Sequence, residues 1–167
     1  MALHLSHNSI SLAGEFAVLS QLALRGFDAN MTLGRTKSVD ILVSDTDTGN
    51  MFKMEVKTNY RKPLTHSVLF GYTFGLVMSK KHESVHESNL YYCFVHIERE
   101  THNFRSFVVP SKLMAKYLVE SHALWIGTRD SPKAKKTTIR LFRIGLDDDG
   151  YPIPTPLAKD YENKWEF

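Results

Sequence analysis

Two short segments of alternating residues, joined by a tight turn, constrain the fold of this chain most strongly. In residues 38–43 every second residue is Val or Ile, and in residues 52–57 Phe, Met and Val alternate with Lys, Glu and Lys. A Gly-Asn pair lies in the connecting stretch, residues 45–50. Side chains of a strand point alternately to its two faces, and Gly-Asn favours a sharp reversal. The pattern therefore predicts an antiparallel hairpin.

The remaining patterns predict helices and strands on both sides of this hairpin. Asn8 or Ser9 can cap a first helix, and an apolar stripe of Leu12, Phe16, Leu19 and Ala23 follows within it. The predicted helices are residues 8–25, 80–87 and 110–122, and the other predicted strands are residues 27–33, 90–98, 104–109 and 139–144. Residues 59–78 show no clear pattern. This order predicts an α/β fold, with a central mixed sheet flanked by helices.

Composition fits one globular domain, residues 1–167. The chain is 43% hydrophobic and 23% charged, and its single cysteine, Cys93, lies in an apolar run typical of a buried thiol. Residues 1–11 lack a secretory signal, and no segment approaches the roughly 20 apolar residues of a membrane span. We therefore expect a cytoplasmic protein. The net charge of +3 permits an anionic partner without requiring one.

Polar residues on the hairpin form a candidate metal site. Glu55 and Lys57 are two residues apart on one strand, so their side chains share a face, and Asp40 lies on the preceding strand. Paired strands would bring the two carboxylates together. Neighbouring carboxylates repel unless one is protonated or a cation binds between them. An open site with oxygen ligands suits Mg²⁺ or Mn²⁺.

A lysine beside such a cation can orient an attacking water and offset negative charge on a phosphate, which is the chemistry of phosphodiester hydrolysis. The alternative is a solvated Glu-Lys pair on an exposed strand face, because short motifs often occur by chance. In the first helix, Glu15 borders the apolar stripe and would point toward the sheet. Its alternative role is that of an exposed residue at the helix rim.

Three stretches of the sequence together resemble a known family. They are Gly-Glu-Phe-Ala-Val at residues 14–18, Thr-Leu-Gly-Arg-Thr-Lys-Ser-Val-Asp-Ile-Leu-Val at residues 32–43, and Met-Glu-Val-Lys-Thr at residues 54–58. The arrangement resembles the PD-(D/E)XK nucleases. It is particularly similar to small members such as the archaeal Holliday junction resolvases and related endonuclease-like domains. The resemblance covers about a quarter of the chain.

The resemblance implies a restriction-endonuclease-like core with a catalytic metal centre. Asp40 and Glu55 would be metal ligands, and the backbone carbonyl of Val56 would complete the set. Lys57 would assist the attacking water, and Glu15 would be an auxiliary ligand, directly or through water. The resemblance therefore implies a Mg²⁺- or Mn²⁺-dependent endonuclease.

The resemblance also implies a DNA substrate and a homodimer, since cutting two strands favours two sites related by a two-fold axis. One departure is Val39, which stands where the family motif has proline. Many members lack that proline, so the departure weakens the motif only slightly. The alternative from another functional class is a nucleic-acid-binding module that keeps the fold but does not cut.

Basic residues flank the proposed site in sequence. Arg35, Lys37, Arg61 and Lys62 would surround it and could contact phosphates, although exposed charges are usually only solvated. A further cluster around Lys133 is a weaker candidate for the same role. We expect any such binding to depend on salt concentration.

A competing signal is His82-Glu83-Ser84-Val85-His86, which matches the H-E-x-x-H signature of zinc metalloproteases. On a helix, both histidines would share one face and could hold Zn²⁺ with Glu83 as base. The segment is short and polar, however, and no third ligand is evident in the sequence. A solvated polar helix is the favoured interpretation.

Overall fold

A computed structural model describes residues 5–32, 39–61, 65–129, 131–147 and 150–167. The chain forms two compact units: Met1–Lys62, Asn89–Val109 and Glu162–Phe167 make the first, and Pro63–Ser88 and Pro110–Tyr161 make the second. Among the described residues, no helix has the length and apolar character needed to cross a membrane.

The helices and strands follow the chain in a mixed order. They are α1 (His7–Ala23), β1 (Phe27–Met31), β2 (Ile41–Asp45), β3 (Met51–Arg61), β4 (Thr65–Ser67), β5 (Gly71–Ser79), a 3₁₀ helix (Lys80–Ser84), β6 (Leu90–Glu98), β7 (Phe104–Pro110), α2 (Ser111–Gly127), α3 (Pro132–Lys136), β8 (Ile139–Gly145) and α4 (Ala158–Tyr161). The predicted α/β class with a central mixed sheet is confirmed.

A five-stranded sheet, in the order β1-β2-β3-β6-β7, forms the centre of the first unit. β2 and β3 are antiparallel, with Ile41 opposite Met54, so the predicted hairpin is confirmed. β3 and β6 are parallel, with Val56 opposite Cys93. Parallel neighbours require a long connection between them, and the chain here supplies residues 62–89. Strand β3 therefore pairs with a sequence-local strand on one side and a distant strand on the other.

Helix α1 packs on this sheet through a different stripe from the one predicted. Its buried residues are Gly14, Val18 and Leu22, whereas Leu12 and Phe16 of the predicted stripe are 44% and 55% exposed. Because Gly14 has no side chain, hydrophobicity alone does not mark the buried face. The helix is capped by Ser6, whose hydroxyl accepts from the Ser9 N–H, rather than by Asn8 or Ser9.

Gly14 is the point of closest approach between α1 and β3. A Cβ atom added at Gly14 would lie 1.9 Å from the hydroxyl oxygen of Thr58. Thr58 is two residues from Val56, so the two side chains share a face of the strand. Helix α1 therefore covers the Val56 face, and Val18, Leu22, Val56 and Cys93 join one hydrophobic core. Burial also raises the pKa of the Cys93 thiol, as expected of an inert buried cysteine.

The last residues of the chain belong to the same unit. The ring of Phe167 stacks on Phe52 at 4.9 Å between centroids and meets the rings of Phe27 and Tyr91 edge-on. Trp165 is 5% exposed and joins the core. Three separated stretches of chain thus build one hydrophobic core.

The second unit contains the stretch for which the sequence showed no clear pattern. Residues 65–79 form β4 and β5, and β8 completes an antiparallel sheet in the order β4-β5-β8. Helix α2 belongs to the same unit and packs on β8 through a ring contact between Tyr117 and Phe142, with centroids 5.3 Å apart. Period-two patterning was hard to recognise here because Gly71 and Gly75 interrupt the strands.

The zinc-protease interpretation of residues 82–86 is not supported by the geometry. The segment begins as a 3₁₀ helix that ends at Ser84, so His82 and His86 do not lie on one α-helical face. The Nδ1 atom of His82 lies within hydrogen-bonding distance of Ser79, and the carboxylate of Glu83 forms an ion pair with Arg140. The motif therefore serves packing within the second unit, and the expected helix over residues 80–87 was too long.

We predict that Gly14→Ala destabilises the protein. The added methyl group cannot fit against Thr58 without displacing the helix, and overpacking of this kind costs about 1–3 kcal/mol. Urea unfolding of the two proteins measures the difference. Gly127→Ala is the matched control, because Gly127 is also helical but has open space around its Cα. It should be neutral or stabilising by up to about 1 kcal/mol, and equal effects of the two substitutions would contradict the packing argument.

Candidate active site

Asp40 is held beside Glu55 by two hydrogen bonds to β3. Its backbone N–H donates to the carbonyl of Met54 at 2.9 Å, and its Oδ2 atom accepts from the backbone N–H of Val56 at 2.7 Å. Asp40 lies in a bend just before β2, beyond the last paired residues Ile41 and Met54, and the charges of Glu55 and Lys57 both act on its carboxyl group. The local sequence thus brings the two acidic residues together.

Glu55 and Lys57 form an ion pair on this face. The Nζ atom of Lys57 lies 2.5 Å from the Oε1 atom of Glu55, and the two side chains are 32% and 4% exposed respectively. The buried carboxylate is therefore charge-compensated, while the ammonium group keeps access to solvent. An ammonium group in this position can contact a substrate as well as its partner carboxylate.

The surroundings of Asp40 raise the pKa of its carboxyl group. Burial is the largest cause, and the negative charge of Glu55 acts in the same direction. The Val56 N–H and the positive charge of Lys57 oppose these effects without cancelling them. The pKa shift shows that Asp40, Glu55 and Lys57 interact electrostatically. An additional positive charge at Asp40 would stabilise its ionised form.

The backbone of Val56 is oriented toward Asp40. Its N–H points to the β2 side of the strand, because it donates to Asp40. In an extended strand the N–H and C=O of one residue point to the same side. The carbonyl of Val56 is thus directed to the same side of the strand as the Asp40 carboxylate, and its role as a metal ligand stays a prediction. The Val56 side chain leaves the plane of the sheet and enters the core under α1.

Glu15 occupies a different environment. Its Oε1 atom accepts a hydrogen bond from the Ser11 hydroxyl at 3.0 Å, one helical turn earlier. It follows Gly14 on α1, the helix that covers the opposite face of β3 from Glu55. The charges that influence the Asp40 pKa come from Glu55 and Lys57. The surroundings of Asp40 thus include Glu55 and Lys57, and the role of Glu15 as an auxiliary ligand stays a prediction.

The donor set fits a hard divalent cation that retains waters. Mg²⁺ is commonly bound through one or two carboxylates, with waters and substrate phosphates completing six oxygens. Asp40, Glu55 and the Val56 carbonyl supply oxygens only. Within the described residues, no group of three or more His, Cys, Asp or Glu side chains is arranged to hold a metal. Zinc, which usually takes three or four such side chains, fits this set poorly.

The strand face beyond Lys57 holds polar residues that the sequence analysis missed. Asn59 follows on the same face, and its Oδ1 atom lies 2.6 Å from Nδ1 of His96 on β6. Burial, and secondarily the charge of Arg105, lowers the pKa of His96. Period-two spacing from Lys57 could have identified Asn59. Finding His96 required the parallel register, in which it lies opposite Asn59.

Of the four predicted phosphate contacts, one lies in the described part of the chain. Arg61 ends β3 on the same face as Lys57 and Asn59, and its side chain is exposed. Arg35, Lys37 and Lys62 fall outside the described residues. The contact with DNA stays a prediction for all four.

The fold resembles that of a protein of known structure. Over 96% of this chain and 90% of the other, the structure aligns with a bacterial homing endonuclease, I-Ssp6803I, at a TM-score of 0.54 and 16% sequence identity. The two chains therefore share a fold. At this identity the likeness concerns the fold alone. No protein-family model matches the sequence, and no curated protein matches it.

We predict that Asp40→Asn stabilises the metal-free protein, increasingly so at higher pH. A raised pKa means that the folded state binds the Asp40 proton more tightly than the unfolded chain does. Ionisation therefore costs stability as pH rises from the ordinary aspartate value through the raised one. Asparagine avoids this cost and can still accept from the Val56 N–H. Thermal unfolding in EDTA from pH 4 to 8 measures the difference.

Asp45→Asn provides a control of opposite sign. Hydrogen bonds from the Thr48 side chain and from the backbone of Asp47 and Thr48 lower the Asp45 pKa. Its ionised form is thus favoured by folding, and that contribution disappears as pH falls through the lowered pKa. Asp45→Asn should lower the melting temperature at neutral pH. If Asp40→Asn also lowered the melting temperature, the surroundings of Asp40 would not disfavour its ionised carboxylate.

Proposed function

We propose that this chain is a divalent-metal-dependent endonuclease of the PD-(D/E)XK superfamily, hydrolysing phosphodiester bonds in DNA. The observation that carries the proposal is the Asp40 carboxylate held against β3 within electrostatic reach of Glu55, with Lys57 ion-paired to Glu55. This arrangement occurs on a fold shared with a homing endonuclease. Two carboxylates that can hold a cation, with an ammonium group beside them, suit phosphate chemistry.

The two carboxylates would hold the cation. Asp40 supports this role because its ionised form is electrostatically disfavoured without an additional positive charge. Glu55 comes from a buried position on the neighbouring strand, and the Val56 carbonyl is directed to the Asp40 side. A bound Mg²⁺ or Mn²⁺ would polarise the phosphate and lower the pKa of a coordinated water. Glu15 would act as an auxiliary ligand through water.

Lys57 would handle the attacking water. Its ion pair with Glu55 fixes the direction of a long flexible side chain, while its partial exposure leaves the ammonium group accessible to substrate. From there it can hold the water in line with the phosphorus and offset the negative charge that grows on the phosphate oxygens. Exposed Arg61, two pleats further along the same face, would contact the DNA backbone, as would Arg35, Lys37 and Lys62.

A homodimer follows if both strands of a duplex are cut, since each protomer would then supply one site. A cytoplasmic location fits a nuclease acting on cellular DNA. The second functional class is a DNA-binding module that keeps the fold without cutting. The presence of Asp40 and Glu55 beside Lys57 favours the nuclease, because neighbouring carboxylates would repel DNA phosphates on a surface that only binds.

We predict that the purified protein cleaves DNA with Mg²⁺ or Mn²⁺, and that Asp40→Ala and Lys57→Ala lower the single-turnover rate about 10²- to 10⁴-fold. These are typical effects of removing one electrostatic or proton-transfer group. DNA affinity should change little, because neither side chain is a main phosphate contact. Linear, branched and single-stranded substrates should all be assayed.

Lys53→Ala is the matched control for Lys57. Lys53 lies on the same strand and face, two residues to the other side of Glu55. The Lys53→Ala variant should cleave at a near-normal rate if catalysis requires an ammonium group at position 57 and not merely a positive charge on this face. No cleavage of any substrate by the wild-type protein, combined with DNA binding, would favour the non-cutting module.

We predict that Mn²⁺ binding, measured by calorimetry, requires Asp40. Asp40→Ala should abolish measurable binding, and the wild-type protein should gain thermal stability with increasing Mn²⁺ by mass action. Glu15→Gln should weaken binding about tenfold if Glu15 acts through water, which is the usual scale for an indirect ligand. Unchanged affinity in Glu15→Gln removes Glu15 from the site, and unchanged affinity in Asp40→Ala contradicts the metal assignment.

A further inference from the structure

The positive charge of this chain is concentrated in one stretch. Residues 125–143 contain six basic residues and one acidic residue, a net charge of +5 against +3 for the whole chain. The basic residues are Arg129, Lys133, Lys135, Lys136, Arg140 and Arg143. This stretch belongs to the second unit, whereas Asp40, Glu55 and Lys57 belong to the first. The proposed cleavage chemistry therefore does not account for these charges.

One of these cations has a structural role, and most of the others face solvent. Arg140 is 5% exposed, forms an ion pair with Glu83 and donates to the carbonyls of Thr137 and Ile139. By contrast, Arg129 and the three lysines on α3 are exposed. Because α3 is only five residues long, its lysines form a compact patch. A compact exposed patch attracts a polyanion.

An aromatic side chain, Trp125, lines a cavity together with Thr137, the residue that follows α3. Trp125 is partly buried near the end of α2, and the His122 ring stacks on it with centroids 5.6 Å apart and planes 25° apart. The Arg129 guanidinium lies 5.7 Å from the Trp125 ring centroid. Burial, and then the charge of Arg140, lowers the His122 pKa, which favours the neutral form of the stacked ring. Aromatic rings flanked by guanidinium groups are typical platforms for nucleobases.

Two cavities open beside Trp125. One, of 320 Å³, is lined by His122, Trp125 and Arg143 together with Ile139 and Leu141. The other, of 560 Å³, is lined by Trp125, Arg129, Arg143 and residues 67–70. Both are of the size that holds small organic groups. Arg143 lines both cavities and packs 3.8 Å above the Phe70 ring, which fixes its position.

We propose that Trp125, Arg129, Arg143 and the α3 lysines form a second DNA-binding surface that holds an unpaired stretch of the substrate. Exposed cations would contact the phosphates, and a base would stack on Trp125 beside one of the cavities. Apolar and aromatic lining next to cations suits a base with its phosphate better than a duplex backbone, which presents only phosphates and sugars. The choice of DNA as the polyanion rests on the proposed nuclease function.

Tryptophan fluorescence tests the stacking directly. The chain has two tryptophans, so Trp165→Phe leaves Trp125 as the single reporter. Titration with a single-stranded oligothymidylate in EDTA should quench this fluorescence to saturation, and Trp125→Leu should weaken binding about 5- to 150-fold. Because Trp165 is a core residue, anisotropy of a labelled oligonucleotide with otherwise wild-type protein repeats the affinity measurement if Trp165→Phe fails to fold.

Salt dependence tests the cations. Replacing Lys133, Lys135 and Lys136 by Gln should reduce the slope of log affinity against log salt by about 0.7 for each phosphate that the variant no longer neutralises. The matched control replaces Lys112 and Lys116 by Gln, two exposed lysines on the first half of α2. That control should keep the wild-type slope.

The outcomes separate this proposal from the nuclease assignment. Quenching and a reduced slope without cleavage in Mg²⁺ or Mn²⁺ would support the second surface and contradict the nuclease. Normal cleavage with no quenching, and with equal slopes for the α3 and α2 variants, would overturn the second surface and leave the nuclease standing. Binding to a duplex with the same affinity as to the single strand, without quenching, would overturn the stacking role of Trp125.

Discussion

The hydrogen bond from the Val56 N–H to the Asp40 carboxylate determines the geometry of the candidate site. With the bond from the Asp40 N–H to Met54, it fixes both the backbone and the side chain of Asp40 against β3. The same residue, Val56, sends its side chain into the core under α1. One position of β3 therefore couples the packing of the helix to the placement of the acidic pair. Displacing the strand would move the core and the site together.

This placement has an energetic cost that function can explain. Burial and the nearby charge of Glu55 both oppose ionisation of Asp40, and Lys57 compensates only in part. A structure selected for stability alone would replace such a pair with neutral or apolar residues. Neighbouring, partly desolvated carboxylates are instead typical of sites whose charge is completed by a ligand. The electrostatics of this face are thus more informative than its likeness to any one protein.

The features that could be predicted from the sequence are those formed by residues close together in the chain. The β2–β3 hairpin and the neighbourhood of Asp40, Glu55 and Lys57 follow from period-two spacing and a short turn, so both could be predicted. The buried face of α1 could not, because its contact point is Gly14, which no hydrophobic pattern marks. His96 joins the polar row only through the parallel pairing of β3 with β6, which no local rule specifies. The sequence argued against a zinc site at the H-E-x-x-H motif, but it could not reveal that Glu83 pairs with buried Arg140, which is distant in sequence.

The contribution of residues 162–167 to the core determines when the first unit can finish folding during synthesis. Phe167 stacks against Phe52, and Trp165 is buried in the same cluster, although the rest of that unit is contributed by residues up to 109. A chain is synthesised at about 5–20 residues per second, and its N-terminal part can begin to fold first. The sheet around Asp40 and Glu55 therefore lacks part of its aromatic packing until residues 162–167 have left the exit tunnel. A nascent chain would carry the acidic pair for several seconds before its support is complete, which delays the mature site until synthesis of this region has ended.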